Sequence, residues 1–260
     1  MEVSPAHRPA PAPESLHPAL WRAAQLGRAT GSGLATGFAA LDAELPGGGW
    51  PRQALTELLL PHPGVGEWRL LAPALAGLQR GAAGAELPRT VMLFDPPARP
   101  CPWTLAALGL DVAQLVIVQG RGQPRSRAGV GAALPAMDTL WALEQALASG
   151  QVGAALAWLP ARLHGDALRR LQLAAQAHPG PVFLFREVQA RLKPSAAPLR
   201  LQLAAGQRDQ LLLRLLKRRG PPRAEPLALA LPPVLCASAH ERALMPRGLP
   251  QPVRGTAVAA

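Results

Sequence analysis

This 260-residue chain has little that could hold a metal or build a disulfide framework. Its two cysteines, Cys101 and Cys236, lie far apart without the paired spacing of a zinc site, and its six histidines are scattered. No metal centre is expected, and the thiols read as ordinary ones. Long apolar runs are also missing: none approaches the roughly 18 residues that a membrane span needs. The N-terminal MEVSPAHRPAPAPES carries Pro and Ala where a secretory leader would carry a basic segment and then an apolar one. A soluble, cytoplasmic protein is the expectation. No Ser/His/Asp or Cys/His arrangement suggests covalent catalysis. His164 and Asp166 are close in ARLHGDALRR, but Asp166 reads as the N-cap of a helix over Ala167–Ala177.

What is present is ample material for a core. Hydrophobic residues make up 49% of the chain and charged ones 17%, while 30 Pro and 25 Gly make it rich in loops. A buried strand fits Leu55–Leu60, a helix Trp68–Arg80, and a second strand Thr90–Phe94. Leu108–Gln119 follows, and Asp138–Trp158 reads as a helix leading into the apolar strand Val152–Leu159. Alternation of this kind predicts an α/β fold with a largely parallel twisted sheet and helices on both faces. Leu199–Leu203 and Leu211–Lys217 flank AAGQRDQ and predict an antiparallel hairpin at the end. The organisation follows: a disordered tail over 1–15, an N-terminal docking helix and linker over 16–32, a core over 33–235 and a loose C-terminal tail over 236–260. The docking helix carries Leu20, Trp21, Ala24 and Leu26, with Gly27 as its stop. It is too short to be stable alone and must pack on something.

The segment Pro61–Leu70, PHPGVGEWRL, sits between strand and helix, where a phosphate-binding loop belongs. A working loop reads G-x-x-x-x-G-K-[ST]: backbone N–H groups cradle phosphates, the Lys neutralises them and the hydroxyl ligates magnesium. Counted back from Gly66, this chain has Pro61 for the first Gly, Glu67 for the Lys and Trp68 for the Ser/Thr, with Gly64 inside the turn. A carboxylate about 4 Å from a phosphate charge is repelled by roughly 4 kcal/mol at an effective dielectric near 20. Triphosphate binding in the usual pose is not expected, although a small nest of N–H groups at Gly64 and Gly66 stays open as a nonstandard anion site.

The order TGFAALD, a Gly-rich turn, strand, loop, helix, strand, LGLDVAQL, helix and strand resembles the RecA recombinase family over about two thirds of the chain. The resemblance implies a RecA-like core with a degenerate phosphate loop. In that family a Glu two residues after an Asp at the end of the second core strand activates water; here Phe94-Asp95 is followed by Pro96 and Pro97. Trp158 stands where a magnesium-orienting Asp ends the later strand. Asp95 reads as a turn former. A pseudo-ATPase without cofactor follows from the resemblance.

A narrower resemblance rests on LHPALWRAAQLG at residues 16–27, TGFAALDAELPGGGWPRQALTELL at 36–59, DTLWALEQALASG at 138–150 and LLRLLKRRG at 212–220. These look like the ImuA family, RecA-like accessory factors encoded beside the Y-family polymerase-like protein ImuB and an error-prone DNA polymerase III alpha subunit. The resemblance implies a non-catalytic subunit of a damage-induced translesion synthesis complex that binds ImuB, reaches the alpha subunit through it, and has RecA as a further candidate partner. The chain departs from the family in a longer Arg/Gly insertion near 121–136. A SulA-like cell-division inhibitor binding FtsZ is the alternative; those proteins share a reduced RecA-like core but are much shorter.

The formal net charge of +11 adds two basic clusters, and all but two of the 27 basic residues are Arg. Arg121, Arg125 and Arg127 lie in the Gly/Pro/Ser-rich insertion. Arg214, Lys217, Arg218 and Arg219 lie where a strand ends in a turn at Gly220. Such clusters meet DNA phosphates or an acidic partner. No aromatic side chain interleaves with either cluster as a base-stacking surface requires, so a protein partner is favoured, with Trp21 and Arg22 of the docking helix as further contacts.

Overall fold

The computed structural model describes residues 33–81, 88–119, 136–220 and 223–233. The expected tails, the docking helix with Trp21 and Arg22, and the insertion with Arg121, Arg125 and Arg127 lie outside the described residues.

Among the described residues, eight strands form one sheet. In chain order the elements are α1 (Ala39–Asp42), β1 (Leu55–Leu60), α2 (Glu67–Gln79), β2 (Val91–Phe94), α3 (Pro102–Ala107), β3 (Leu115–Val118), α4 (Ala136–Ala148), β4 (Ala154–Trp158), α5 (Gly165–Ala177), β5 (Val182–Glu187), β6 (Leu199–Ala205), β7 (Gln210–Lys217) and β8 (Leu227–Ala230). Short 3-10 turns cover Val112–Gln114 and Val188–Leu192. The spatial order is β3-β2-β4-β5-β1-β6-β7-β8. Every pairing from β3 to β6 is parallel, and β6-β7 and β7-β8 are antiparallel. The fold is therefore α/β with a mixed, mostly parallel sheet.

The strand β1 lies between β5 and β6, and all six of its residues are buried, as a run covered on both faces demands. Alternation along the strands divides the core in two. One face packs Leu58, Leu60, Phe183 and Leu201 against α1, α2 and α3; the other packs Leu55, Ala155, Ala157 and Leu184 against α4 and α5. The segment ahead of β1 lies flat on α2 through Gly37: its φ is +86°, and a Cβ there would sit 2.4 Å from the Cβ of Pro73.

Three expectations need correction in detail. The helix expected from Ala167 begins at Gly165 with His164 at its N-cap, so Asp166 is a first-turn residue; it pairs at 3.8 Å with Arg169 on the surface and caps nothing. Strand β4 is shorter than Val152–Leu159 at both ends. The hairpin strands are longer than expected, because Ala204 and Ala205 pair with Leu212 and Leu211 and leave only Gly206–Asp209 as the turn.

Candidate functional site

In an open α/β sheet, ligands meet the carboxyl ends of the strands. At that edge β1 ends at Leu60, Pro61–Gly66 reverses the chain, and α2 starts at Glu67. Gly64 and Gly66 hold φ of +85° and +127°, a backbone that side-chain-bearing residues rarely adopt. Although it opens a helix, Glu67 is buried to 2% exposure. Its carboxylate folds back onto the loop, accepting the Gly64 N–H at 2.7 Å and the Gly66 N–H at 3.1 Å. The positive end of the helix dipole favours a negative charge there. The chain thus fills its own amide nest with its own anion.

The neighbouring groups close the site further. The Trp68 ring has its centroid 5.9 Å from that of Trp158 at the end of β4, and Trp158 stacks on Phe185 of β5 at 4.5 Å with planes 21° apart. The buried Trp158 Nε1 has no hydrogen-bond partner among the described residues. Arg69, in the first turn of the helix, donates to the Pro232 carbonyl at 2.8 Å, the Leu231 carbonyl at 3.1 Å and the Asp209 carboxylate at 2.5 Å. The β7–β8 strands are thereby fixed behind the loop, so that a Cβ at Gly66 would come within 3.0 Å of Leu231 and 3.4 Å of Leu211.

The groups that a nucleotide and its magnesium require can be compared with these. Phosphate oxygens need the loop amides, which serve Glu67, and a cation in place of the Glu67 carboxylate. The positions that the RecA resemblance assigns to magnesium ligands carry the Trp68 and Trp158 indoles, whose carbon faces cannot coordinate a hard cation. The residues present do not fit the group. No cluster of three or more His, Cys, Asp or Glu suited to a metal occurs among the described residues. Asp95 adopts a left-handed φ of 48° after β2 and accepts a hydrogen bond from the Thr139 hydroxyl of α4.

Behind this edge lies a buried ionic cluster that sequence reasoning missed. Glu57 of β1, fully buried, receives Arg186 of β5 at 2.6 Å on one oxygen and Arg200 of β6 on the other. Arg186 also donates to the Ala161 carbonyl at 2.6 Å, and Arg200 to the carbonyls of Ala190 at 2.9 Å and Lys193 at 3.2 Å. The segments leaving β4 and β5 are therefore tied to the middle of β1. The available signal was a lone Glu inside LTELLL and an Arg inside VFLFRE, charges in runs otherwise built for burial.

The second basic cluster divides on inspection. Arg218 points inward, pairing with the Glu44 carboxylate at 2.7 Å in company with Arg223. Lys217 donates to the Ser195 carbonyl at 3.0 Å, and Arg214 and Arg219 are exposed. No helix in the described residues is long and apolar enough to cross a membrane. Fold and edge together define an α/β protein with a mostly parallel mixed sheet and a strand-to-helix loop closed by its own carboxylate. No protein-family model matches the chain, and no curated protein matches it.

Proposed function

We propose that the chain is a RecA-like pseudo-ATPase, a non-catalytic accessory subunit of a damage-induced translesion synthesis complex that binds the Y-family polymerase-like protein ImuB. The observation that carries the loss of ATPase activity is the Glu67 carboxylate seated on the Gly64 and Gly66 amides. It fills with an internal contact the Gly64–Gly66 nest that the sequence left open as a nonstandard anion site, and a nucleotide would have to displace a buried anion with another anion. The Trp68–Trp158–Phe185 stack supports the same reading by filling the magnesium side of the edge with indole. The strand order is compatible with a RecA-like core. The partner assignment rests on the ImuA resemblance, with the polymerase alpha subunit reached through ImuB and RecA as a further candidate.

The test joins two measurements on one preparation. Tagged protein is recovered from DNA-damaged cells, its partners are identified by mass spectrometry, and ATP with magnesium is titrated calorimetrically. Recovery of ImuB without saturable ATP binding is the expected outcome. Magnesium-dependent ATP binding would overturn the pseudo-ATPase reading, and recovery of FtsZ in place of ImuB would favour a division inhibitor.

A further inference from the structure

The β6–β8 end of the sheet has one buried face and one open face. Leu201, Leu203, Leu211, Leu213, Leu227 and Leu229 point into the core, so the alternate positions point the other way. The register places them side by side: Gln202 opposite Arg214, Ala204 opposite Leu212, Leu212 opposite Ala228 and the half-buried Gln210 opposite Ala230, with Leu216 beyond. Arg214, Leu216, Ala228 and Ala230 are exposed, and Gln202, Ala204 and Leu212 half-buried. An antiparallel face turned to water normally alternates to polar residues. Here most of the outward positions are apolar, three of them Ala, and none is acidic.

We propose that this open face of β6, β7 and β8 is the docking surface for an amphipathic helix of acidic character on a protein partner. The alanines leave the pleated surface low, so that a helix can settle on it as α4 and α5 do on the same side of the neighbouring strands. Leu212 and Leu216 offer the apolar stripe. Arg214 in the middle, and Lys217 at the margin against the pinned Ser195 segment, supply positive charge with no carboxylate among the outward positions to oppose it. The absence of aromatic side chains on the face favours a peptide over stacked bases. The proposal rests on the reading of the chain as a partner-binding subunit and adds which surface is used and what chemistry meets it.

The experiment uses the full chain and a fluorescein-labelled synthetic helix with a Leu stripe flanked by Glu, followed by anisotropy. Arg214→Glu and Ala228→Asp, both at exposed positions, are expected to weaken binding by about tenfold or more with an unchanged melting temperature. A Lys-flanked version of the helix should bind no better than either variant allows. Unchanged affinity in both variants overturns the proposal. Three other occupants would also overturn it. Arg214→Glu abolishing single-stranded oligonucleotide binding while sparing the helix makes the face a nucleic-acid surface. Concentration-dependent dimerisation removed by Ala228→Asp makes it a contact between copies. A photo-cross-link from position 228 to residues 234–260 of the same chain makes the occupant internal. If wild type binds the helix but not ImuB, the translesion reading fails and the surface stands; if both variants retain ImuB at full strength and still bind the helix, the surface fails alone.

Discussion

Strands β1, β4 and β5 are covered on both faces, whereas β7 and β8 are covered on one, and polar side chains are treated differently in the two regions. Inside the covered half the buried charges of Glu57, Arg186, Arg200 and Glu67 are answered. Glu57 has two guanidiniums, those guanidiniums reach backbone carbonyls, and Glu67 has two amides. A buried charge left without a partner would cost several kcal/mol, so folding dictates these contacts. On the open half nothing in the folding problem dictates Leu212, Leu216 or the alanines, since polar residues would serve an exposed face better. The contrast separates residues whose chemistry is explained by the fold from residues whose chemistry is left over for another purpose.

The contrast can be broken or sharpened by substitution. The largest expected effect is that of Glu57→Leu, which strands Arg186 and Arg200 in the core and should cost about 3–5 kcal/mol in urea denaturation. Replacing all three with apolar residues of similar volume should recover most of that loss, because the penalty comes from the unpaired cations. A fully stable single variant would show that water reaches the cluster. Next, Glu67→Ala leaves the Gly64 and Gly66 amides without their acceptor and should cost about 1–3 kcal/mol, with Glu67→Gln in between; equal stability of all three proteins would mean that the carboxylate does not hold the loop.

A smaller effect should come from acid. His178 is fully buried, neither of its ring nitrogens has a hydrogen-bond partner among the described residues, and burial pushes its imidazole below the ordinary value of 6.5. The unfolded chain then takes up the proton more readily than the folded one. Stability is therefore complete above about pH 6.5, declines as pH falls from there toward the depressed folded value, and levels off below it. Melting temperatures across that range should show the decline in wild type and lose part of it in His178→Phe. Smallest of all, Arg214→Ala should change stability by no more than about 0.5 kcal/mol, as an exposed residue outside the packed core; a large loss would place Arg214 with the fold-dictated residues and erase the distinction drawn between the two regions.

Most of the sheet was legible because its elements differ in period. LTELLL has a short, mostly apolar run without alternation, as a doubly covered strand does, and LRLQL the strict alternation of a singly covered one. The ends were less legible, since a strand stops where its neighbour stops: Ala204 and Ala205 extend β6 only because Leu212 and Leu211 lie opposite. Asp166 misled for a related reason. A carboxylate is favoured both at an N-cap and in the first turn by the same dipole, and Gly165 is already helical. At the loop, the sequence showed that Glu67 opposes phosphate. That it instead completes the loop depends on the φ of Gly64 and Gly66 aiming their amides at one point. The partners of Glu57 were hidden by distance along the chain, as no local pattern joins β1 to β5 and β6.

That last separation also governs time. The strand β1 is made early, yet the register pairs Leu55 with Val182 and Thr56 with Leu199, so both of its neighbours are synthesised long after it. Until the chain beyond residue 187 has emerged, six residues destined for the centre of the sheet have no strand partner, and pairing over such separations is slow. Production of this protein should therefore depend more on chaperones that shield nascent apolar segments than its finished stability would suggest.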